Sequence, residues 1–162
     1  MNAINGMTEK LNCREATMAD CQQIYKWNSD PVTRANSFNS SVFSFEDHKK
    51  WFEDKLKNGA TKFFVFANER EQDVGLVRMD SVDDYWLIGL NVVPDHRGKG
   101  YAANMIIGAV QKIREKSPLP VIAQIKVENQ SSVKVFEKAG FTLDREIVIN
   151  NIPSLQYVYE NS

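Results

Sequence analysis

Cysteine and histidine are scarce in this 162-residue chain, with two of each. Cys13 and Cys21 cannot form a disulfide framework, and neither has partners at metal-ligand spacing. A disulfide-stapled secreted domain and a metal module are therefore excluded, and both cysteines read as small core residues. Long apolar runs are missing as well. None approaches the roughly 20 residues that cross a bilayer, and the opening Met1-Asn-Ala-Ile-Asn-Gly-Met7 is too polar for a secretory signal. Nor does one sign of charge dominate: Lys and Arg total 20 against 21 Asp and Glu, a net charge of −1. Nucleic-acid binding needs clustered basic surface, which this balance argues against. Repeats, low-complexity tracts and linkers are absent. What remains is a cytoplasmic globule with no membrane, nucleic-acid or metal partner.

The positive content is that of an ordinary folded domain, with 43% apolar and 25% charged residues. The length suits a single domain over residues 1–162 with a full core, residues 1–9 forming a loose leader. Leu11 to Ala16 reads as a strand, and Thr17-Met-Ala-Asp20 as a capping box opening a helix with Ile24, Tyr25 and Trp27 on its apolar side. Residues 28–41 are polar and lack periodicity. Ser44-Phe-Glu-Asp47 opens a second helix through Phe45, His48, Trp51, Phe52 and Leu56, ending at Asn58-Gly59. Strands follow at Lys62 to Ala67, Val74 to Met79 and Trp86 to Val93, then a helix from Tyr101. The chain closes with a strand at Val121 to Val127, a short helix, and strands at Leu143 to Ile149 and Leu155 to Tyr159, joined through Asn150 to Ser154.

The chemistry concentrates between Asn91 and Gly108. An apolar strand stops at Pro94, a glycine turn Arg97-Gly98-Lys99-Gly100-Tyr101-Ala102 follows, and apolar residues then recur at helical spacing. A helix start of this kind attracts phosphate, because its first N–H groups lack internal partners and its dipole adds partial positive charge. Gly98 and Gly100 let the backbone approach a ligand closely, and Arg97 and Lys99 add charge. A Walker A loop is excluded because Lys99 is followed by Gly100 rather than Ser or Thr. A dinucleotide fingerprint fits the spacing Gly98-x-Gly100-x-x-Ala103, but the acidic residue expected about twenty positions on is replaced by Leu119 to Ile122. The third pattern, Arg97-x-x-Gly100-x-Ala102, resembles the pyrophosphate loop of the GNAT superfamily of N-acetyltransferases. The plain alternative is a tight turn with exposed basic residues.

Val127-Glu-Asn129-Gln-Ser-Ser-Val-Lys-Val-Phe136-Glu-Lys-Ala-Gly140-Phe141 resembles the second signature of the same superfamily. The resemblance covers nearly the whole chain. It implies an α/β (α+β) GNAT fold: a mixed central sheet of about seven strands, splayed between strands 4 and 5, with four helices. It further implies acetyl-CoA as co-substrate, its pantetheine arm on the backbone of Val92 and Val93 and its pyrophosphate on residues 97–102. Asn129 is implied to contact the pantetheine arm or hold the splay open; capping the short helix is its plain reading, and the two are compatible.

The implied reaction is direct attack of a neutral amine on the thioester, with no cysteine near either signature to carry the acyl group. Such a reaction needs a base, an oxyanion donor and often an acid for the thiolate. The family commonly places a Tyr acid seven residues after the Asn, where this chain has Phe136. Glu128 and His48 are the candidate bases, although a solvated Glu and a packing histidine are the plain readings. His96 reads as surface, and Trp51, Tyr85 and Trp86 as core or slot wall. On the acceptor side, Trp27 to Ser37 and His48-Lys-Lys-Trp51-Phe52 resemble N-acetyltransferases of amino-sugar nucleotides in nonulosonic (pseudaminic-type) acid biosynthesis. Arg34, Asn36 and Ser37 are the candidate substrate contacts there, with a surface ion pair for Arg34 as the plain alternative. Three classes stay open: an amino-sugar acetyltransferase acting as monomer or homodimer, a protein N-terminal acetyltransferase, and a catalytically silent acyl-CoA-binding module.

Overall fold

The computed structural model describes residues 10–39 and 41–160, so the expected leader lies outside the described residues. Seven strands form one sheet: β1 (Asn12–Glu15), β2 (Thr61–Ala67), β3 (Asp73–Val82), β4 (Tyr85–Val92), β5 (Val121–Lys126), β6 (Thr142–Ile149) and β7 (Ile152–Tyr159). Five α-helices accompany them: α1 (Cys21–Asn28), α2 (Pro31–Asn36), α3 (Phe45–Asn58), α4 (Tyr101–Arg114) and α5 (Gln130–Lys138). The strand order is β1-β2-β3-β4-β5-β7-β6.

Local chemistry explains most boundaries. Thr17 and Asp20 form the reciprocal capping box, which opens a 3-10 turn leading into α1. Ser44 accepts from the Asp47 N–H at the start of α3, and Gly59 ends that helix at φ 72°. Two features differ from expectation. The fifth helix, α2, occupies the stretch without periodicity; it is too short to show one, but Asp30 caps it and Pro31 sits at its first position. The β6–β7 connection is a two-residue turn at Asn150 and Asn151, both at positive φ, so β7 begins three residues earlier than the apolar pattern suggests.

The sheet has two differently used faces. On one, α4 and α5 bury Met105, Ile106, Ala109, Val133 and Phe136 against Phe64, Val77, Val121, Ala123 and Ile125. On the other, α1 and α3 bury Ile24, Trp27 and Phe52 against Phe63, Val65 and Leu76. Following the register across this second face leads from Leu76, Arg78 and Asp80 to Leu87, Gly89 and Asn91. It continues through Ile122, Gln124 and Lys126 to Gln156 and Arg145. Gln124, Gln156 and Arg145 remain half-buried or exposed, and a groove beside them is lined by Tyr85, Ile122 and Ile147.

The sheet opens at one place. Strands β4 and β5 run parallel and pair only at Trp86↔Val121 and Leu87↔Ile122. Beyond those two pairs the strands splay, which leaves a slot between their C-terminal halves.

Candidate active site

The slot edge of β4 can be read from its hydrogen bonds. The Val93 N–H donates to the Val74 carbonyl at 2.8 Å, and the Trp86 N–H donates across to Pro120 at 2.9 Å. Because backbone groups alternate sides along a strand, Leu90 and Val92 turn theirs toward the slot. Val92 therefore stays a candidate for an amide-rich ligand. Val93 does not, since its donor is committed to β3, and Leu90 takes its place. The Val92 carbonyl already accepts from Arg97 Nε at 3.1 Å.

The turn after β4 has the geometry of an anion site. Gly98 and Gly100 adopt φ 74° and 83°, and no atom lies within 4 Å of where either Cβ would stand. Side chains rarely adopt this backbone, and the space above it is open to a ligand. Helix α4 starts there, so its first amides point outward. Lys99 is exposed and Ala102 lies in the first turn of α4. Tyr101 is buried in the main core, with the half-buried His96 ring 6.0 Å away, so His96 is not a free surface group. Arg97 is less free than its position at the rim suggested: its guanidinium pairs with Asp30 at 2.8 Å and Thr33 at 3.2 Å. This contact holds the Asp30 carboxyl below its ordinary range.

Across the slot, Asn129 caps α5. Its Oδ1 accepts from the Ser132 N–H and Ser131 hydroxyl, and its Nδ2 donates to Ser132 Oγ at 3.1 Å. The side chain is thus occupied mainly by the cap. Glu128 is exposed in the turn between β5 and α5. Phe136 is buried, edge-on to Phe141 at 5.1 Å, and carries no hydroxyl.

His48 is not the base it was a candidate for. It is 2% exposed, ringed by Tyr25, Phe43 and Phe52, and its Nε2 lies 3.1 Å from the Cys21 carbonyl. That nitrogen must carry the proton, and burial lowers the pKa of the ring. No dissolved amine reaches it. Arg34 is likewise occupied. It donates to the Asn39 and Ser41 carbonyls and to Ser37 Oγ, and its guanidinium lies 5.0 Å from the Phe43 ring centroid. Among the described residues it forms no ion pair, and its bonds hold the stretch after α2 instead. Ser37 is held between Arg34 and the Thr33 carbonyl, while Asn36 is exposed.

Sequence reasoning missed the network that joins these parts. Asn91 donates to Asn28 at 3.1 Å and accepts from the Thr33 hydroxyl at 3.2 Å. At the other end of α2, Lys126 Nζ donates to the Ala35 carbonyl at 2.7 Å, and Asn150 to that of Phe38 at 3.3 Å. Helix α2 is therefore tied to the β4 arm at its start and to the β5 side at its end, crossing the slot. The Asp30-Pro31 pair could have revealed the helix, but not partners 58 to 91 residues away.

Residues 10–142 match the model of the acetyltransferase (GNAT) domain family. The spermidine N(1)-acetyltransferase of Vibrio cholerae serotype O1 is 22% identical over 149 residues, covering 88% of this chain and 84% of that protein. A crystal structure of the V. cholerae spermidine N-acetyltransferase with CoA and spermine has a TM-score of 0.84 at 21% identity, over 92% of this chain and 94% of that one. A structure of the V. cholerae spermidine/spermine N-acetyltransferase with manganese ions gives 0.75 at 20%, over 93% and 92%. These relatives are named for polyamines, where the sequence resemblance had pointed to amino-sugar nucleotides.

Proposed function

Because this chain belongs to the GNAT acetyltransferase family and is an acetyl-CoA-dependent N-acetyltransferase of an amine, we propose that it acetylates a small primary amine directly within the β4–β5 slot. The carrying observation is the break in β4–β5 pairing after Leu87↔Ile122, with the glycine turn 97–102 at its rim. In this reading the pantetheine arm lies along Leu90 and Val92, and the pyrophosphate meets the α4 amides with Lys99 beside them. The amine nitrogen bonds to the acetyl carbon as the C–S bond breaks. Glu128, the exposed carboxylate in the turn after β5, takes the amine proton. Phe136 offers no acid, so coenzyme A leaves as the thiolate. Lack of a positioned acid costs roughly a hundredfold in rate, which slows the reaction without abolishing it. Phe136→Tyr should preserve the fold and leave kcat unchanged or higher. A sharp fall in a folded variant would remove Phe136 from the acid's position.

The acceptor reading that the floor supports best is the amino group of a nucleotide-linked sugar. Gln124, Gln156 and Arg145 share the open face beyond the slot, the latter two bonded to Asp144, with the buried Lys126 one row on, and amides and cations suit hydroxyls and phosphates. The likeness to spermidine acetyltransferases favours a second reading, a polyamine. A polycation calls for carboxylates: Asp84 lines the groove with Arg145 and Gln156, whereas Asp80 is engaged with Arg78 and Thr61, and Asp30 with Arg97. Release of free thiol from acetyl-CoA, measured against spermidine, amino sugars, a nucleotide-linked amino sugar and short peptides, separates these acceptors. A preference for peptides would identify a protein N-terminal acetyltransferase. Binding of acetyl-CoA without turnover of any amine would leave only an acyl-CoA-binding module.

A further inference from the structure

Lys126 is the last residue of β5 and is 6% exposed. Its ammonium makes one hydrogen bond, to the Ala35 carbonyl, and among the described residues no carboxylate lies within ion-pairing distance. One carbonyl engages one of three N–H groups. Burying a full positive charge without a counter-ion is strongly unfavourable, and an uncharged donor such as glutamine would serve a carbonyl at lower cost. The placement is specific. Side chains alternate along both strands, so four steps beyond the last pair, Leu87↔Ile122, Asn91 and Lys126 lie on the same face of the sheet, one on each arm of the slot. One row back, Gln124 pairs with Gln156, which lines the groove with Ile122.

We propose that Lys126 is a specificity-determining residue whose missing counter-charge is supplied by the acceptor, so that the acceptor carries a phosphate or carboxylate as well as its amine. The anion of the acceptor meets Lys126 at the end of β5 while its amine enters the slot. The pyrophosphate of acetyl-CoA does not fill this role in the proposed site, because it belongs at the turn after β4, on the other arm. This inference rests on the acetyltransferase reading of the slot. It requires that a bare polycation be a poor acceptor.

The test compares kcat/KM for glucosamine, glucosamine 6-phosphate, muramic acid, uridine-diphosphate-linked glucosamine and spermidine. Acetyl-CoA affinity is measured separately by calorimetry. Wild type should prefer one of the anion-bearing amines over glucosamine by tenfold or more, and the phosphate and carboxylate arms identify which anion fits. Lys126→Gln keeps a donor for Ala35 without the charge and should reduce that preference about tenfold, in line with a charged hydrogen bond. Lys126→Arg should retain much of it. Equal losses on every amine in Lys126→Gln, or a wild-type preference for glucosamine or spermidine, would overturn the proposal while leaving the acetyltransferase reading intact. Acetyl-CoA binding without turnover of any amine would overturn both.

Discussion

Burial sets the protonation state of His48. Removal from water lowers its pKa from the ordinary 6.5, and the bond to the Cys21 carbonyl opposes that only in part. The folded value therefore lies below the unfolded one. The stability held by neutral His48 is complete above about 6.5 and is lost as pH falls through the folded value, because the unfolded chain takes up the proton first. Thermal unfolding of the wild type should shift down between pH 7.5 and 5.5, and in His48→Gln that shift should shrink. Identical shifts in both proteins would show that His48 does not carry the linkage. Gly100 illustrates a different constraint at the same scale. At φ 83° a branched side chain costs about 1–2 kcal/mol whatever the space around it. Gly59 provides the control, with φ 72° and equally open surroundings at the end of α3. Gly59→Val and Gly100→Val should lose similar thermal stability, but only Gly100→Val should lose acetyl-CoA binding in calorimetry. Binding retained in folded Gly100→Val would remove the pyrophosphate from the turn.

At the scale of elements, α2 and the stretch after it are held in place by polar ties. Arg34 reaches the Asn39 and Ser41 carbonyls and Ser37 at once, a spread that suits the planar guanidinium fork. Arg34→Ala should raise the acceptor KM about tenfold, by loosening a loop on the acceptor side, and leave acetyl-CoA affinity unchanged. Lys should not rescue it, since a single ammonium cannot hold all three partners. Unchanged acceptor kinetics in both variants would show that the loop does not shape the acceptor site. The elements that sequence periodicity reveals are those long enough to display a stripe: α1 with eight residues, α3 and α4 with fourteen each, and the buried strands. Helix α2 has six and displays none. The turn at Asn150-Asn151 is written in residue type rather than in pattern, and an apolar reading passes over it.

Across the whole molecule, legibility follows distance along the chain. The glycine turn and the Asn129 cap are local, and their residues announce them. The Asn28–Asn91–Thr33 links, the Asp30–Arg97 pair and the Lys126–Ala35 bond join segments that only the folded sheet brings together, so Arg34 stood out while Lys126 did not. Their consequence is mechanical coupling: Asp30 caps α2 and also grips the arginine at the start of the glycine turn. Asp30→Asn keeps a capping side chain and removes the charge. Released from Asp30, Arg97 loses its fixed place beside Val92, and α2 loses its hold on the β4 arm. Acetyl-CoA affinity should fall and acceptor KM should rise together, each about fivefold, from one substitution that belongs to neither proposed pocket. The pair is only partly exposed, so a double-mutant cycle with Arg97→Gln should return a coupling of about 1 kcal/mol, at the upper end for accessible ion pairs. Additive effects in that cycle, or a change confined to one Michaelis constant, would mean that α2 rests across the slot without linking its two sides.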